Sequence, residues 1–135
     1  MSKTSLLCQR QLLQYLADGG FYSGQWLAEQ LGVSRTAVAN YLNELKQHGL
    51  DVFSVKGRGY KLAQPIQLLD ATKIKQIQLA GSAQILVQHI TDSTNSQLLQ
   101  RLQAGQVMVP GSVIVAEAQS AGRGRRGRPW YSPFG

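Results

Sequence analysis

Apolar residues recur at helical spacing through the first third of the chain. Leu6, Leu12, Leu13 and Leu16 fall on one stripe of a helix over 5–17, stopped by Gly19-Gly20. Ser23 can cap a second helix carrying Trp26, Leu27, Ala28 and Leu31 and closed by Gly32. Ser34 can cap a third, with Val38, Tyr41, Leu42 and Leu45 inward and Gly49 after it. The period then changes: 51–55 and 60–62 read as short strands joined by Lys56-Gly57-Arg58-Gly59. The pattern breaks at Ala63-Gln64-Pro65, which marks a domain boundary.

Beyond the break, Asp70 can cap a helix through Ile74, Ile77 and Leu79. Gln84 to Ile90 reads as a strand, Asn95 to Leu102 as a helix and Ser112 to Ala118 as a second, largely buried strand. Glycine and arginine then take over, and no further helix or strand is expected before the last residue. The expected fold is α+β: a winged helix-turn-helix over 1–64, then over 65–135 the first, incomplete part of a mixed α/β domain.

The helix-turn-helix expectation rests on Ala28, Gly32 and Val38, at offsets that such a unit needs. A small residue lets the two helices touch, a residue tolerant of positive φ makes the turn, and an apolar residue anchors the second helix on the first. Leu27, Leu31, Val33, Leu42 and Leu45 complete that core. The third helix then presents Ser34, Arg35, Thr36, Asn40 and Asn43 toward a DNA groove. Asn40 suits an adenine edge and Arg35 a guanine or a phosphate. Lys56 and Arg58, with Lys61 behind them, stand where a wing rests on the phosphate backbone. A three-helix protein-interaction module has the same helices but no use for that basic hairpin.

Charge divides the chain unevenly. Residues 1–64 hold seven basic and four acidic residues, 65–118 three of each, and 119–135 four basic and none acidic. Two separate segments are therefore built for anions, and DNA binding by the first does not explain the second. The single cysteine, Cys8, sits inside a helical stripe, so neither an internal disulfide nor zinc-ligand spacing is available, and a reducing cytoplasm is expected. No apolar run approaches the ~20 residues of a membrane span.

The second basic segment, Gly122-Arg123-Gly124-Arg125-Arg126-Gly127, formally matches a dinucleotide fingerprint. That site needs a helix opening at the loop to face the pyrophosphate, and Arg128-Pro129-Trp130-Tyr131-Ser132-Pro133 does not start one. Arg126-Gly127-Arg128-Pro129 also resembles a minor-groove AT-hook, but such arms lie in polar low-complexity surroundings, unlike these. What remains is a mobile, glycine-hinged loop of guanidinium groups, suited by its bidentate forks to carboxylate and phosphate, or simply a solvated basic loop.

Residues 119–135, QSAGRGRRGRPWYSPFG, resemble the biotin-binding loop of biotin protein ligases, and Asp92-Ser93-Thr94-Asn95 is similar to that family's earlier motif. With the winged helix, they resemble the bifunctional class whose members also repress the biotin biosynthetic operon. The resemblance implies an enzyme that joins biotin's carboxylate to ATP, as biotinyl-5′-adenylate, and passes the acyl group to a lysine of biotin carboxyl carrier protein. It implies ATP with Mg²⁺ and biotin as substrates, no tightly bound metal, a biotin operator as DNA partner, and a homodimer when full length and ligand-bound. Ser93, Thr94, Asn95 and Gln119 would line the biotin pocket, although Ser93-Thr94-Asn95 without the resemblance reads as a simple helix cap. Arg123, Gly124 and Arg125 would hold the carboxylate and phosphate, with Arg123 and Arg125 stabilising charge during the reaction. Trp130 would anchor the loop or stack on adenine, core packing being the commoner fate of such a tryptophan. Pro129 departs from the family, where a basic residue is common. The family's biotin-contacting lysine and its small C-terminal β-domain lie beyond Gly135, so this chain is expected to retain DNA binding only.

The competing expectation is a winged-helix transcription factor with a basic tail and no biotin chemistry. The two part over residues 66–135, which must form helix and sheet for a ligase but can be a disordered arm for the other.

Overall fold

The computed structural model describes residues 3–77 and 83–134. It divides into two compact units, Met1–Leu68 with Phe134–Gly135, and Leu69–Pro133.

In the first unit the three expected helices are α1 (Lys3–Leu16), α2 (Gly24–Leu31) and α3 (Arg35–Gln47). Their inward stripes make the core: Leu12, Leu13, Leu16, Leu27, Val38 and Leu45 are fully buried. Leu31 and Val33, expected in that core, are half-buried at its edge. Gln9 is buried as well, and its side-chain amide donates to the Glu44 carboxylate, so a polar link joins α1 to α3. Strands β1 (Val52–Val55) and β2 (Gly59–Leu62) pair antiparallel, with Val52 opposite Leu62 and Val55 opposite Gly59. Val52 and Leu62 are buried, while Phe53 and Val55 on the opposite face are exposed, as the two-residue period of a strand demands.

The second unit begins with α4 (Ala71–Ile77), capped by Asp70, whose Oδ1 accepts from the backbone N–H of Thr72 and Lys73 at 2.8 and 3.2 Å. Leu79, expected in this helix, lies outside the described residues. Strand β3 (Ile85–Thr91), helix α5 (Thr94–Gln103) and strand β4 (Val113–Arg123) form a βαβ unit with β3 and β4 parallel, the arrangement that requires a crossover.

The structure corrects the expectation that only loop follows Ala118. Strand β4 continues to Arg123, turns, and pairs antiparallel with a further strand, β5 (Pro129–Ser132), giving the sheet order β3-β4-β5. The turn explains why. Arg126 (φ 59°) and Gly127 (φ 70°) are both left-handed, the signature of a hairpin turn whose twist matches its strands. Pro129, which has no N–H to donate, stands at the first residue of the edge strand, where proline is tolerated. The disordered-arm alternative required no such order here.

Candidate functional sites in the two units

Serine caps fix the helix-turn-helix. Ser23 Oγ accepts from Trp26 N–H and Ser34 Oγ from Ala37 N–H, each at 3.1 Å, satisfying donors that a helix start leaves free. Gly32 takes φ 63° at the turn, Val33 N–H returns to Ala28 C=O at 3.0 Å, and Ala28 and Val38 are buried where the helices meet. The cap role occupies Ser34's hydroxyl. Arg35, Thr36, Asn40 and Asn43, the residues expected to face a DNA groove, are all exposed on α3.

The wing is tied to the start of α2. Tyr22 and Tyr60 exchange both backbone hydrogen bonds, at 2.9 and 2.8 Å. Gly59 (φ 99°) makes this possible, since a Cβ there would stand 2.1 Å from Tyr22 O. Tyr22 OH in turn donates to Asp18 Oδ2 at 2.6 Å, and Gly20 N–H donates to Asp18 Oδ1 at 2.8 Å. The Tyr22 hydroxyl, helped by Gly20, holds the Asp18 carboxyl below the usual range, and the same bond raises the Tyr22 phenol. Lys56 and Arg58 are exposed at the wing turn. Tyr22 was not legible as a wing anchor because its role runs through its backbone.

In the second unit, the two motifs separated in sequence meet at one end of the parallel pair. Thr91 and Gln119 are the last register partners of the parallel pair, at the carboxyl end of β3, and ligands bind at such ends in open α/β sheets. Thr94 donates to Gln119 Oε1 from both its backbone N–H, at 2.9 Å, and its hydroxyl, at 3.3 Å. Arg123, at the end of β4, donates from Nη2 to Ser96 Oγ in the first turn of α5 at 3.0 Å. The candidate residues Ser93, Thr94, Gln119 and Arg123 are thus gathered around the start of one helix. Ser93 is buried and Asn95 exposed. Gly124 N–H is engaged with Arg128 C=O at 2.8 Å, and Arg125 is exposed at the hairpin tip, away from any of those bonds.

Asp92 organises this corner and was quoted in the sequence without a role. Its Oδ1 accepts from Ser93 N–H at 2.6 Å, Gln97 Nε2 at 3.0 Å and Thr91 Oγ1 at 3.1 Å. The Gln97 amide, then the Ser93 N–H, hold its carboxyl below the usual range. Ser93 occupies the N-cap position of α5 but makes no side-chain cap bond; the first N–H of the helix, that of Thr94, is met by Gln119 Oε1 instead. Trp130 is 63% and Tyr131 78% exposed, which corrects the expectation of core packing for Trp130 in this chain.

A helix-turn-helix domain model matches residues 9–61, and the model of the biotin/lipoate A/B protein ligase family matches residues 87–135. The Bifunctional ligase/repressor BirA of Salmonella typhimurium is 49% identical over 124 residues, covering 92% of this chain and 37% of that protein. The chain is similar to the bifunctional ligase/repressors over most of its own length. The protein of the same name from Escherichia coli K12 is 47% identical over 93% of the chain, and that of Bacillus subtilis 32% over 94%. The chain spans 37–40% of the length of those relatives. Its α+β order, helix-turn-helix before ligase segment, is the order of the matched families. Among its described residues no helix is long and apolar enough to cross a membrane.

Proposed function

We propose that this chain supplies the DNA-binding unit and one wall of the biotin pocket of a biotin protein ligase that also represses biotin synthesis genes, working in the cytoplasm. The observation that carries the reading is the meeting of Thr94, Gln119 and Arg123 at the carboxyl end of a parallel βαβ unit. The reaction is the one that the resemblance to biotin protein ligases implies. A carboxylate oxygen of biotin attacks the α-phosphorus of ATP, pyrophosphate leaves, and the mixed anhydride biotinyl-5′-adenylate forms. A lysine amine of biotin carboxyl carrier protein then attacks the acyl carbon, AMP leaves, and an amide bond remains.

Polar groups at the α5 start, Ser93, Thr94 and Asn95, line the biotin side, with Gln119 orienting Thr94. Arg123, Gly124 and Arg125 face the carboxylate and phosphate, where guanidinium groups stabilise the charge that gathers during attack. ATP enters as its Mg²⁺ complex. On the DNA side, Arg35, Thr36, Asn40 and Asn43 read an operator half-site, with Lys56 and Arg58 on phosphate and the Ser34 cap holding the helix start against the backbone. Two half-sites call for a homodimer of the full-length, ligand-bound protein. This chain by itself keeps DNA binding alone.

Two measurements test the reading. Selection from a random duplex pool with this chain should return one half-site, and biotin-dependent pyrophosphate exchange should appear in a protein of the relatives' length that begins with these residues and be absent from this chain. No sequence enrichment, or no exchange by the longer protein, refutes the corresponding half of the proposal.

A further inference from the structure

The cations of the wing have a partner outside every residue assigned above. Arg58 Cζ sits 4.1 Å from the centroid of the Phe21 ring, and Lys61 Nζ sits 5.2 Å from it. Both distances fall within the ~6 Å over which a ring's negative face attracts a cation. The bridge between Tyr22 and Tyr60 explains how residues so far apart in sequence meet: it aligns the chain around Phe21 with the wing, bringing Arg58 and Lys61 to one ring.

Beside this contact lies a groove of about 380 Å³ whose lining includes Gly24, Gln25, Arg35, Lys56, Arg58 and Tyr60. Three cations and no carboxylate face it. A surface of that composition fits an anionic group with acceptor oxygens, and beside a DNA-binding helix the anion at hand is a backbone phosphodiester. Attraction to a ring engages the guanidinium carbon and leaves the N–H edge able to donate, so holding Arg58 by Phe21 does not consume its hydrogen bonds. An arginine already held also loses less rotamer freedom when it grips a phosphate.

We infer that Phe21 is a positioning residue for DNA binding, its ring holding Arg58 and Lys61 so that Arg58 presents its N–H groups to a backbone phosphate in this groove. The inference rests on the reading of the first unit as a DNA-binding domain. It assigns part of the wing's grip to an uncharged residue, and it makes the wing's electrostatic contact preformed rather than recruited on binding.

Fluorescence anisotropy of the 135-residue chain on a mixed-sequence duplex, across a salt series, tests it. Phe21→Leu, which keeps apolar volume but removes the ring, should weaken binding about two- to fivefold, the range of an exposed cation–π contact. Phe21→Tyr should restore it. In an Arg58→Ala/Lys61→Ala background the same Phe21→Leu change should have no effect, a coupling that a merely structural role would not produce. Equal losses in both backgrounds, or no loss in either, overturn the role of Phe21 while leaving DNA binding in place. Absence of duplex binding by the unaltered chain refutes the DNA reading itself and the inference with it. Should Phe21→Leu fail to fold, the unaltered protein still decides. The Arg58 Cδ protons should show an upfield ring-current shift in the free chain, and ordinary arginine shifts there overturn the proposal.

Discussion

Replacing Gly59 with alanine sets two forces against each other in a way the structure makes quantitative. The added Cβ would lie 2.1 Å from Tyr22 O, 2.6 Å from Tyr22 C and 2.7 Å from Ser23 Cα, all backbone atoms that no rotamer change can clear. The chain will therefore choose the cheaper exit, which is to part the Tyr22–Tyr60 bridge. That exit forfeits two backbone hydrogen bonds at about 1 kcal/mol each. It also forfeits the contact of Arg58 with Phe21, about 0.5–1 kcal/mol at an exposed site. With the left-handed penalty of about 1–2 kcal/mol that alanine also meets at φ +99°, total destabilisation comes to about 4 kcal/mol, a large share of what a small domain has to lose.

Gly57 is the control, because its φ is +80° yet nothing lies within 4 Å of a Cβ built there. Gly57→Ala should cost only the left-handed penalty, about 1–2 kcal/mol. Urea unfolding followed by circular dichroism reads the totals, and amide exchange reads the place. Tyr22 and Tyr60 donate the bridging bonds, so their amides should lose protection in Gly59→Ala and keep it in Gly57→Ala. If Gly59→Ala cost no more than Gly57→Ala and the Tyr60 amide stayed protected, the bridge would not be what holds the wing.

Three further outcomes are expected. Asn40→Ala should relax sequence preference by about 1–3 kcal/mol, while Lys56→Ala should weaken all duplexes alike and lower the salt slope by about one; equal, sequence-blind losses in titrations would sink this docking. Since the Asp92 carboxyl is held low in the folded chain, its contribution is fully present above the ordinary aspartate range and is lost as pH falls through the lowered folded value. Asp92→Asn should accordingly flatten the acid limb of a stability-versus-pH curve below pH ~4, and an unchanged limb would remove Asp92 from the account. Gln119→Ala leaves the Thr94 N–H and hydroxyl without their shared acceptor, at a cost of about 1–3 kcal/mol if water cannot replace it; Gln119→Glu, which keeps the acceptor, should recover most of it in the same thermal melts.

Helix positions were legible because their causes are local. A serine hydroxyl reaches an N–H three residues on, a left-handed glycine ends a turn, and an apolar stripe faces inward whatever surrounds it, so Ser23, Gly32, Ser34 and the leucines of α1 to α3 could be read without knowing the fold. The wing strands were legible for the same reason. Its attachment was not, since Tyr22 binds through its main chain and Phe21 through its ring face, and neither leaves a periodic trace. Ser93 shows the opposite failure: the local rule offers it as a cap, yet its side chain makes no cap bond, and the Thr94 N–H is met by Gln119, 25 residues away in the sequence and opposite Thr91 in the sheet.

The glycine and arginine segment shows why composition misled where geometry did not. Glycine suggested mobility, yet at Gly122 a side chain would meet Trp130 O at 2.5 Å, so the small residue there permits a close strand pairing. Arg126 accepts a left-handed conformation that costs an L-residue about 1–2 kcal/mol, and it does so at the one place where a two-residue turn needs it. The hairpin in turn decides which guanidinium groups can act together. Arg123, on the strand, is directed to the first turn of α5 and bonds Ser96, whereas Arg125 stands at the tip. A loop free to move would offer its arginines as equivalents; a paired strand makes Arg123 part of the corner built by Asp92, Thr94 and Gln119 and leaves Arg125 exposed in the turn. That difference in placement, rather than the number of arginines, is what this stretch of sequence encodes.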